Sequence, residues 1–244
     1  MIPEILTPPS LTPGILHIWK ADLEAWTTRA ELLAELLSEA ELERLGRYKI
    51  PAKKTEFTLS RGLLRLVLGS YLGHDPASLD ICINQQGKPY LPNQELRFNV
   101  SHSGKLLLCA CSLHQSIGID IQQIYAISSL ETIAKRFFSF AEREYLAANQ
   151  SPRDVFFEIW TAKEAYLKAV GAGFQGSPTD VSLLPDHNQT GRFRVSTPSV
   201  GKQNWSIYKL EVGKGFKAAL AAEQEIREFQ VIPLLPPETA VGKR

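Results

Sequence analysis

The segment WTAKEAYLKAVGAG, residues 160–173, sets apolar residues at helical spacing around Lys163, Glu164 and Lys168. Positions three and four apart are neighbours on a helix, so Trp160, Glu164, Leu167, Lys168 and Gly171 share roughly one face. At the least, Glu164 and Lys168 make an exposed i, i+4 pair worth about 0.2–0.5 kcal/mol. Sharing a face with a tryptophan instead of solvated residues favours a half-buried carboxylate and amine over a purely solvated pair. Upstream, IGID ends an apolar strand on Asp120. A buried carboxylate is costly unless paired, hydrogen-bonded or bound to a metal. In FNVSHSG, His102 is expected in a polar turn after a strand, able to donate to an anion alongside Ser101 and backbone amides. No G-x-S-x-G accompanies Ser101, which argues against a nucleophilic serine. GKPY holds Lys88 between a glycine and a proline, a turn that fixes the direction of an amine. Singly, each fragment has an ordinary alternative: a surface ion pair, an aspartate opening a turn, a satisfied turn histidine, a hairpin connection.

The elements that must position these groups follow from periodicity. ILHIWKADL reads as a strand and residues 22–45 as helical, with a new helix starting at the capping box Ser38–Glu41 and carrying Glu43, Arg44 and Arg47. Residues 52–72 keep helical spacing through Phe57, Leu59, Leu63, Leu64 and Val67. LDICIN reads as a strand and QQGKPYLP as a turn. ELRFNVSHSGKLLLCACS is expected as two strands around a Ser-His-Ser-Gly turn. SIGIDIQQI is a strand, residues 130–149 are helical with a second capping box at Ser139–Glu142, and 153–171 form the helix bearing Glu164. Glu142 is assigned to that cap and not to chemistry. SGKLLLCACS and KGFKAALAAE are alike, which suggests two similar halves. The tail VIPLLPPETAVGKR is proline-broken and expected to be irregular.

Composition excludes some functions. The 244 residues suffice for a large core, and 27 Lys+Arg against 26 Asp+Glu leave a formal charge of +1. Basic and acidic residues number 12 and 12 up to residue 118, then 15 and 14. Neither half is a cationic module, so no nucleic-acid partner is expected. The run Arg44, Arg47, Lys49, Lys53, Lys54, Arg61, Arg65 reads as a solvated helical face. Three cysteines make no paired framework and no zinc spacing, which suits a reducing compartment. No apolar run approaches the roughly 20 residues that span a bilayer, and MIPEILTPPSLTPG lacks a basic leader segment. The expected location is cytoplasmic, without membrane contact.

In order, Lys88-Pro89-Tyr90, Phe98-Asn99-x-Ser101-His102-Ser103, Ile117-Gly118-Ile119-Asp120, Phe137-Phe138-x-x-x-Glu142 and Trp160-x-x-Lys163-Glu164-Ala165-x-x-Lys168 resemble the motif set of the Sfp-type 4′-phosphopantetheinyl transferases. The likeness is tight over residues 88 to 171 and looser back to about residue 40, through ELERLGRY. It implies an α+β fold of two similar halves with a pseudo-twofold, residues 1–118 and 119–244, coenzyme A lying between them. It also implies transfer of phosphopantetheine from coenzyme A to a serine of an apo acyl or peptidyl carrier protein, releasing 3′,5′-ADP. Asp120 and Glu164 would hold Mg²⁺. Arg44, Arg47, Lys88, Ser101, His102, Lys163 and Lys168 would contact coenzyme A, Lys168 nearest the pyrophosphate. Glu164, Lys168 and His102 form the implied catalytic set. Glu164 is the best-placed base for the carrier serine, although its ligand and base roles compete for one carboxylate.

One position departs from the pattern. Many relatives read G-x-D-x-E, whereas this chain has Gln122 two residues after Asp120. A neutral amide binds Mg²⁺ more weakly than a carboxylate, so Gln122 is expected to act through a water, with altered metal affinity. With both halves in one chain, the expected state is a monomer.

Overall fold

The computed structural model describes residues 6–85, 87–171, 176–197 and 205–237. The first five residues, the end of the glycine-rich segment at 172–173 and the last seven residues of the tail lie outside the described residues. In β1 (Ile15–Asp22), Leu16 and Ile18 face one way while His17 and Trp19 face the other. The helix expected over 22–45 is divided into a 3-10 turn at Thr27–Arg29, α1 (Ala30–Ala34) and α2 (Glu39–Arg47). The division has a cause at Ser38, whose capping box with Glu41 restarts the chain as α2. α3 (Pro51–Leu72) opens on a proline and closes on Gly73 at φ 64°, a left-handed cap that glycine adopts without strain.

β2 (Cys82–Ile83) and β3 (Pro89–Tyr90) form a small hairpin, much shorter than LDICIN suggests. β4 (Leu96–Ser103) and β5 (Leu106–Leu113) form a long one. Its turn falls at Gly104 and Lys105, so Ser101, His102 and Ser103 lie in β4 and not in the expected polar turn. Their polarity serves a neighbouring strand: the Ser101 and Ser103 hydroxyls accept from backbone amides of β6 (Ile117–Gln123). Residues 130–149 divide into α4 (Leu130–Phe137) and α5 (Phe140–Ala147), because Ser139 and Glu142 form a capping box between them. α6 (Pro152–Val170) follows. Then come β7 (Ser182–Pro185), β8 (Arg192–Ser196), β9 (Ser206–Leu210), β10 (Phe216–Ala222) and β11 (Glu228–Pro233). The tail is therefore ordered through Pro233, paired parallel to β1 as an edge strand where proline's missing donor is tolerated.

Besides the β2–β3 pair, two larger sheets result, ordered β11-β1-β5-β4 and β6-β10-β9-β8-β7. Each half runs strand, helix, hairpin: β1, α3, β4–β5 in the first and β6, α6, β9–β10 in the second. In both halves the opening strand pairs antiparallel with the last strand of the hairpin. The fold is thus α+β with two similar halves. The expected boundary at 118/119 falls inside β6, and β11 returns from the C-terminal half to edge the first sheet. One face of the first sheet packs on α3 through Trp19, Cys109 and Cys111. The other packs Leu16, Ile18 and Leu108 against Ile119, Ile121 and Leu220 of the second sheet. The far face of the second sheet receives Ala162, Ala165 and Ala169 of α6. Among the described residues, no helix is long and apolar enough to cross a membrane.

Candidate active site

Alternation along β6 turns Ile119 and Ile121 into the inter-sheet core and Asp120 toward α6. Gly118 allows the approach of that helix, since a Cβ there would collide with the Ala165 carbonyl and the Ala169 amide. α6 brings Lys168 over the strand. Its ammonium lies 2.6 Å from Asp120 Oδ1 and donates to Ser101 Oγ and the Ile119 carbonyl at 3.1 Å each. Ser101 in turn donates to Asp120 Oδ1 at 2.9 Å, and Gln122 Nε2 donates to Oδ2 at 3.3 Å. Asp120 is 2% exposed, so its charge is met almost wholly by these groups. Glu164, one turn before Lys168, is half-buried. Burial first, and then the Asp120 charge, push its carboxyl above the usual range, with Lys168 pulling the other way.

Lys168 also lines a cleft of about 490 Å³ with Arg44, Arg61, Lys88, His102 and Asn99. Arg44 of α2 and Arg61 of α3 both hold guanidinium groups over the Phe57 ring, 5.5 and 5.7 Å from its centroid. The aromatic face orients two cations that would otherwise repel each other. Lys88 donates to the Lys168 carbonyl at 2.6 Å and the Ile117 carbonyl at 3.0 Å. Burial, then Arg97 and Lys168, lower its pKa to about 8. His102 Nδ1 lies 3.1 Å from Glu56 Oε1; its surroundings lower its pKa, and Glu56 opposes them.

The geometry gathers Arg44, Lys88, Ser101, His102, Asp120, Gln122, Glu164 and Lys168 in one region. It does not gather two others. Arg47 is exposed and is not among the residues lining the cleft. Lys163, expected on phosphate, is 2% exposed and ion-paired to Glu142 Oε2 at 2.9 Å. It also donates to the Pro178 and Val181 carbonyls. Adjacent residues on a helix project about 100° apart, so Lys163 cannot share the face of Glu164.

Two family models divide the chain: "4'-phosphopantetheinyl transferase, N-terminal" matches residues 18–114 and "4'-phosphopantetheinyl transferase superfamily" matches residues 116–221. The 4'-phosphopantetheinyl transferase HetI of Nostoc sp. is 40% identical over 223 residues, covering 88% of this chain and 91% of the relative. The chain belongs to the 4′-phosphopantetheinyl transferase superfamily. The 4'-phosphopantetheinyl transferase Sfp of Bacillus subtilis is 32% identical, covering 79% of this transferase and 84% of its own length. A holo-[acyl-carrier-protein] synthase of Thermotoga maritima is similar over 44% of this chain and 61% of its own, at 24% identity and a TM-score of 0.37.

Sequence reasoning set Arg61 of the transferase aside as part of a solvated basic face. It lies instead in the cleft, and its Nη1 is buried with no hydrogen-bond partner among the described residues. The available signal was spacing: Arg61 follows Phe57 by one turn, and Phe57 is flanked by the Arg44 helix.

Proposed function

We propose that this chain transfers 4′-phosphopantetheine from coenzyme A to a serine of an apo acyl or peptidyl carrier protein, with Mg²⁺, releasing 3′,5′-ADP. The observation that carries the reading is the convergence of Arg44, Arg61, Lys88 and Lys168 on one cleft, with Asp120 and Glu164 beside Lys168 and the Arg61 Nη1 donor without an acceptor among the described residues. A polyanion with two separate phosphate groups supplies acceptors for such a set. The Arg44–Phe57–Arg61 end suits a terminal phosphate monoester, and the Lys88–Lys168 end suits a pyrophosphate.

The residues present fit a magnesium ion. Asp120 and Glu164 are like charges close enough for Asp120 to raise the Glu164 carboxyl, and a divalent cation relieves that repulsion. Mg²⁺ takes one or two carboxylates and keeps waters and substrate phosphates, a demand that two acidic side chains meet. Asp120 and Glu164 would hold it, with Gln122 beside Asp120. When bound, the ion would supply neutralisation of charge developing on the phosphate oxygens.

The chain's own groups do the rest. Glu164 sits in a half-buried environment that raises its proton affinity, which suits a base taking the proton of the carrier serine. The serine oxygen forms a bond to the pantetheine-side phosphorus as the bond from that phosphorus to the bridging oxygen breaks. The electron pair leaves on 3′,5′-ADP. Lys168, fixed by Asp120 and Ser101, and Lys88, fixed by two carbonyls, stabilise that charge without reorganising. Cytoplasmic location and a monomeric state complete the reading; the two-half architecture places a whole cleft within one chain.

Incubation with coenzyme A, Mg²⁺ and an apo carrier protein tests this. Intact-mass analysis should show one phosphopantetheine per carrier and equimolar 3′,5′-ADP. An unmodified carrier serine with every divalent metal would overturn the reading.

A further inference from the structure

β4 and β6 run side by side and parallel, yet no backbone ladder joins them, and the two sheets part between them. The amides of β6 that face β4 are met by side chains instead. Asn99 Oδ1 accepts from the Ile119 amide at 2.8 Å, Ser101 Oγ from Ile121 at 3.4 Å and Ser103 Oγ from Gln123 at 3.0 Å. Lys88 and Lys168 meet the Ile117 and Ile119 carbonyls along the same edge. The pairs 99 with 119, 101 with 121 and 103 with 123 keep one constant offset, so this is a regular ladder whose rungs are side chains. A backbone ladder would draw the strands to about 4.8 Å. Rungs made of side chains add their own length and hold the two strands further apart. Asp120 lies between the first two rungs and Gln122 between the last two.

We propose that Asn99 and Ser103 are positioning residues for the transfer reaction. As the rungs flanking Ser101, they fix the height of β6 and hence the placement of Asp120 and Gln122 against Lys168. Neither needs to touch the reacting atoms for this. A slip of one rung would move β6 by two residues, which keeps each side chain on its face but carries Asp120 along the strand and away from Lys168. Ser103 carries the argument most cleanly, because it donates to Gln122 Oε1 at 3.5 Å and is not among the residues lining the cleft. The proposal rests on the reading of Asp120 as the metal-side carboxylate.

The test uses the full chain. Without ligand, amide hydrogen exchange is followed at Ile119 and Gln123 in wild type, Ser103→Ala, Ser103→Thr and Asn99→Leu. Loss of one rung should speed exchange at Gln123 in Ser103→Ala by about tenfold, the scale of one hydrogen bond, with Ser103→Thr returning to wild type. In steady-state transfer to an apo carrier, Ser103→Ala should lower kcat several-fold while the KM for coenzyme A stays within about twofold, the split expected when only transition-state geometry is lost. Ser103→Thr should restore kcat. Since Asn99 is buried and its leucine variant can fail to fold, the half-exposed Ser103 pair decides the question. Faster exchange in Ser103→Ala with wild-type kcat would reduce the rung to a structural tie and overturn the proposal. So would a raised KM for coenzyme A at unchanged kcat. Asp120→Asn, measured alongside, separates the levels: wild-type turnover there would remove the reading of Asp120 itself.

Discussion

Lys163 and Glu164, adjacent in sequence, leave α6 in different directions and have different partners. Lys163 enters a closed ion pair with Glu142, whose other oxygen accepts from the Leu183 amide at 2.8 Å, while Glu164 stands beside Asp120 and Lys168. One residue fastens the helix to α5 and the start of β7; the next lies on the face so fixed, beside Asp120 and Lys168.

Lys163→Met is therefore expected to destabilise the fold and spare coenzyme A binding. It leaves Glu142, 0% exposed, as an uncompensated buried charge, a change that costs about 3–5 kcal/mol. Adding Glu142→Gln should recover part of the loss. Denaturant midpoints and coenzyme A titrations of the folded fraction check this. Weakened binding at unchanged stability would return Lys163 to the cleft.

For Glu164→Gln, turnover should fall by about 10²–10⁴, the usual scale for a lost general base. Stability should change little, because a half-buried neutral amide replaces a carboxyl that burial and Asp120 already push toward its protonated form. Single-turnover transfer and a thermal melt measure both. Unchanged turnover would take Glu164 out of the mechanism.

Asp120 and Lys168 should couple. Lys168→Met removes the closest cation from a buried carboxylate, and Asp120→Asn leaves a half-buried ammonium with only Ser101 and a carbonyl. The double variant should be more stable than the sum of single losses predicts, by about 1–2 kcal/mol, as neighbours in one network behave. Additive losses in a denaturation cycle would show that the pair contributes no net coupling.

Much of this site was legible because its chemistry is spelled in short, rigid fragments. Asp120 ends an apolar alternation, Lys88 is held between glycine and proline, and Glu164 and Lys168 repeat at one helical turn. What stayed hidden depends on contacts far apart in sequence. Nothing local reveals that Lys163 meets Glu142, or that Arg44 of another helix joins Arg61 over the Phe57 ring. The same holds for His102. A polar Ser-His-Ser run reads as a turn because the strand whose amides donate to its serines lies twenty positions on, beyond a whole hairpin. The strand in the tail was hidden for a related reason: β11 exists only by pairing with β1 at the other end of the chain.

If coenzyme A binds in this cleft, its affinity is expected to depend on pH through Lys88. Its pKa is lowered to about 8, chiefly by burial, so the ammonium is lost as pH rises through 8. Affinity for an anionic ligand should fall over that range, and binding should take up a proton. The sign for the free protein is opposite. Between about 8 and the ordinary lysine value of 10.5 the unfolded chain holds more protons, so the Lys88 contribution to stability rises with pH there. Lys88→Arg stays charged and should flatten the binding profile. Titrations from pH 6.5 to 9.5 with both forms decide it. Parallel profiles would place the titration elsewhere.

Gln122 carries the last prediction. It stands beside Asp120 on β6, and across the β6–β10 pair Lys217 stands directly opposite it. Opposed residues in an antiparallel pair share a face with their Cβ atoms about 5 Å apart, within reach of a lysine. Gln122→Glu would add a carboxylate near Asp120 and Glu164, which should lower the Mg²⁺ concentration for half-maximal transfer. Lys217 competes for the same carboxylate, so the single variant should show a small shift and Gln122→Glu with Lys217→Met a larger one in the same direction. Lys217→Met alone, with no carboxylate to release, should leave the magnesium titration where wild type has it. Coincident titrations for all four proteins would mean that position 122 is not near the ion.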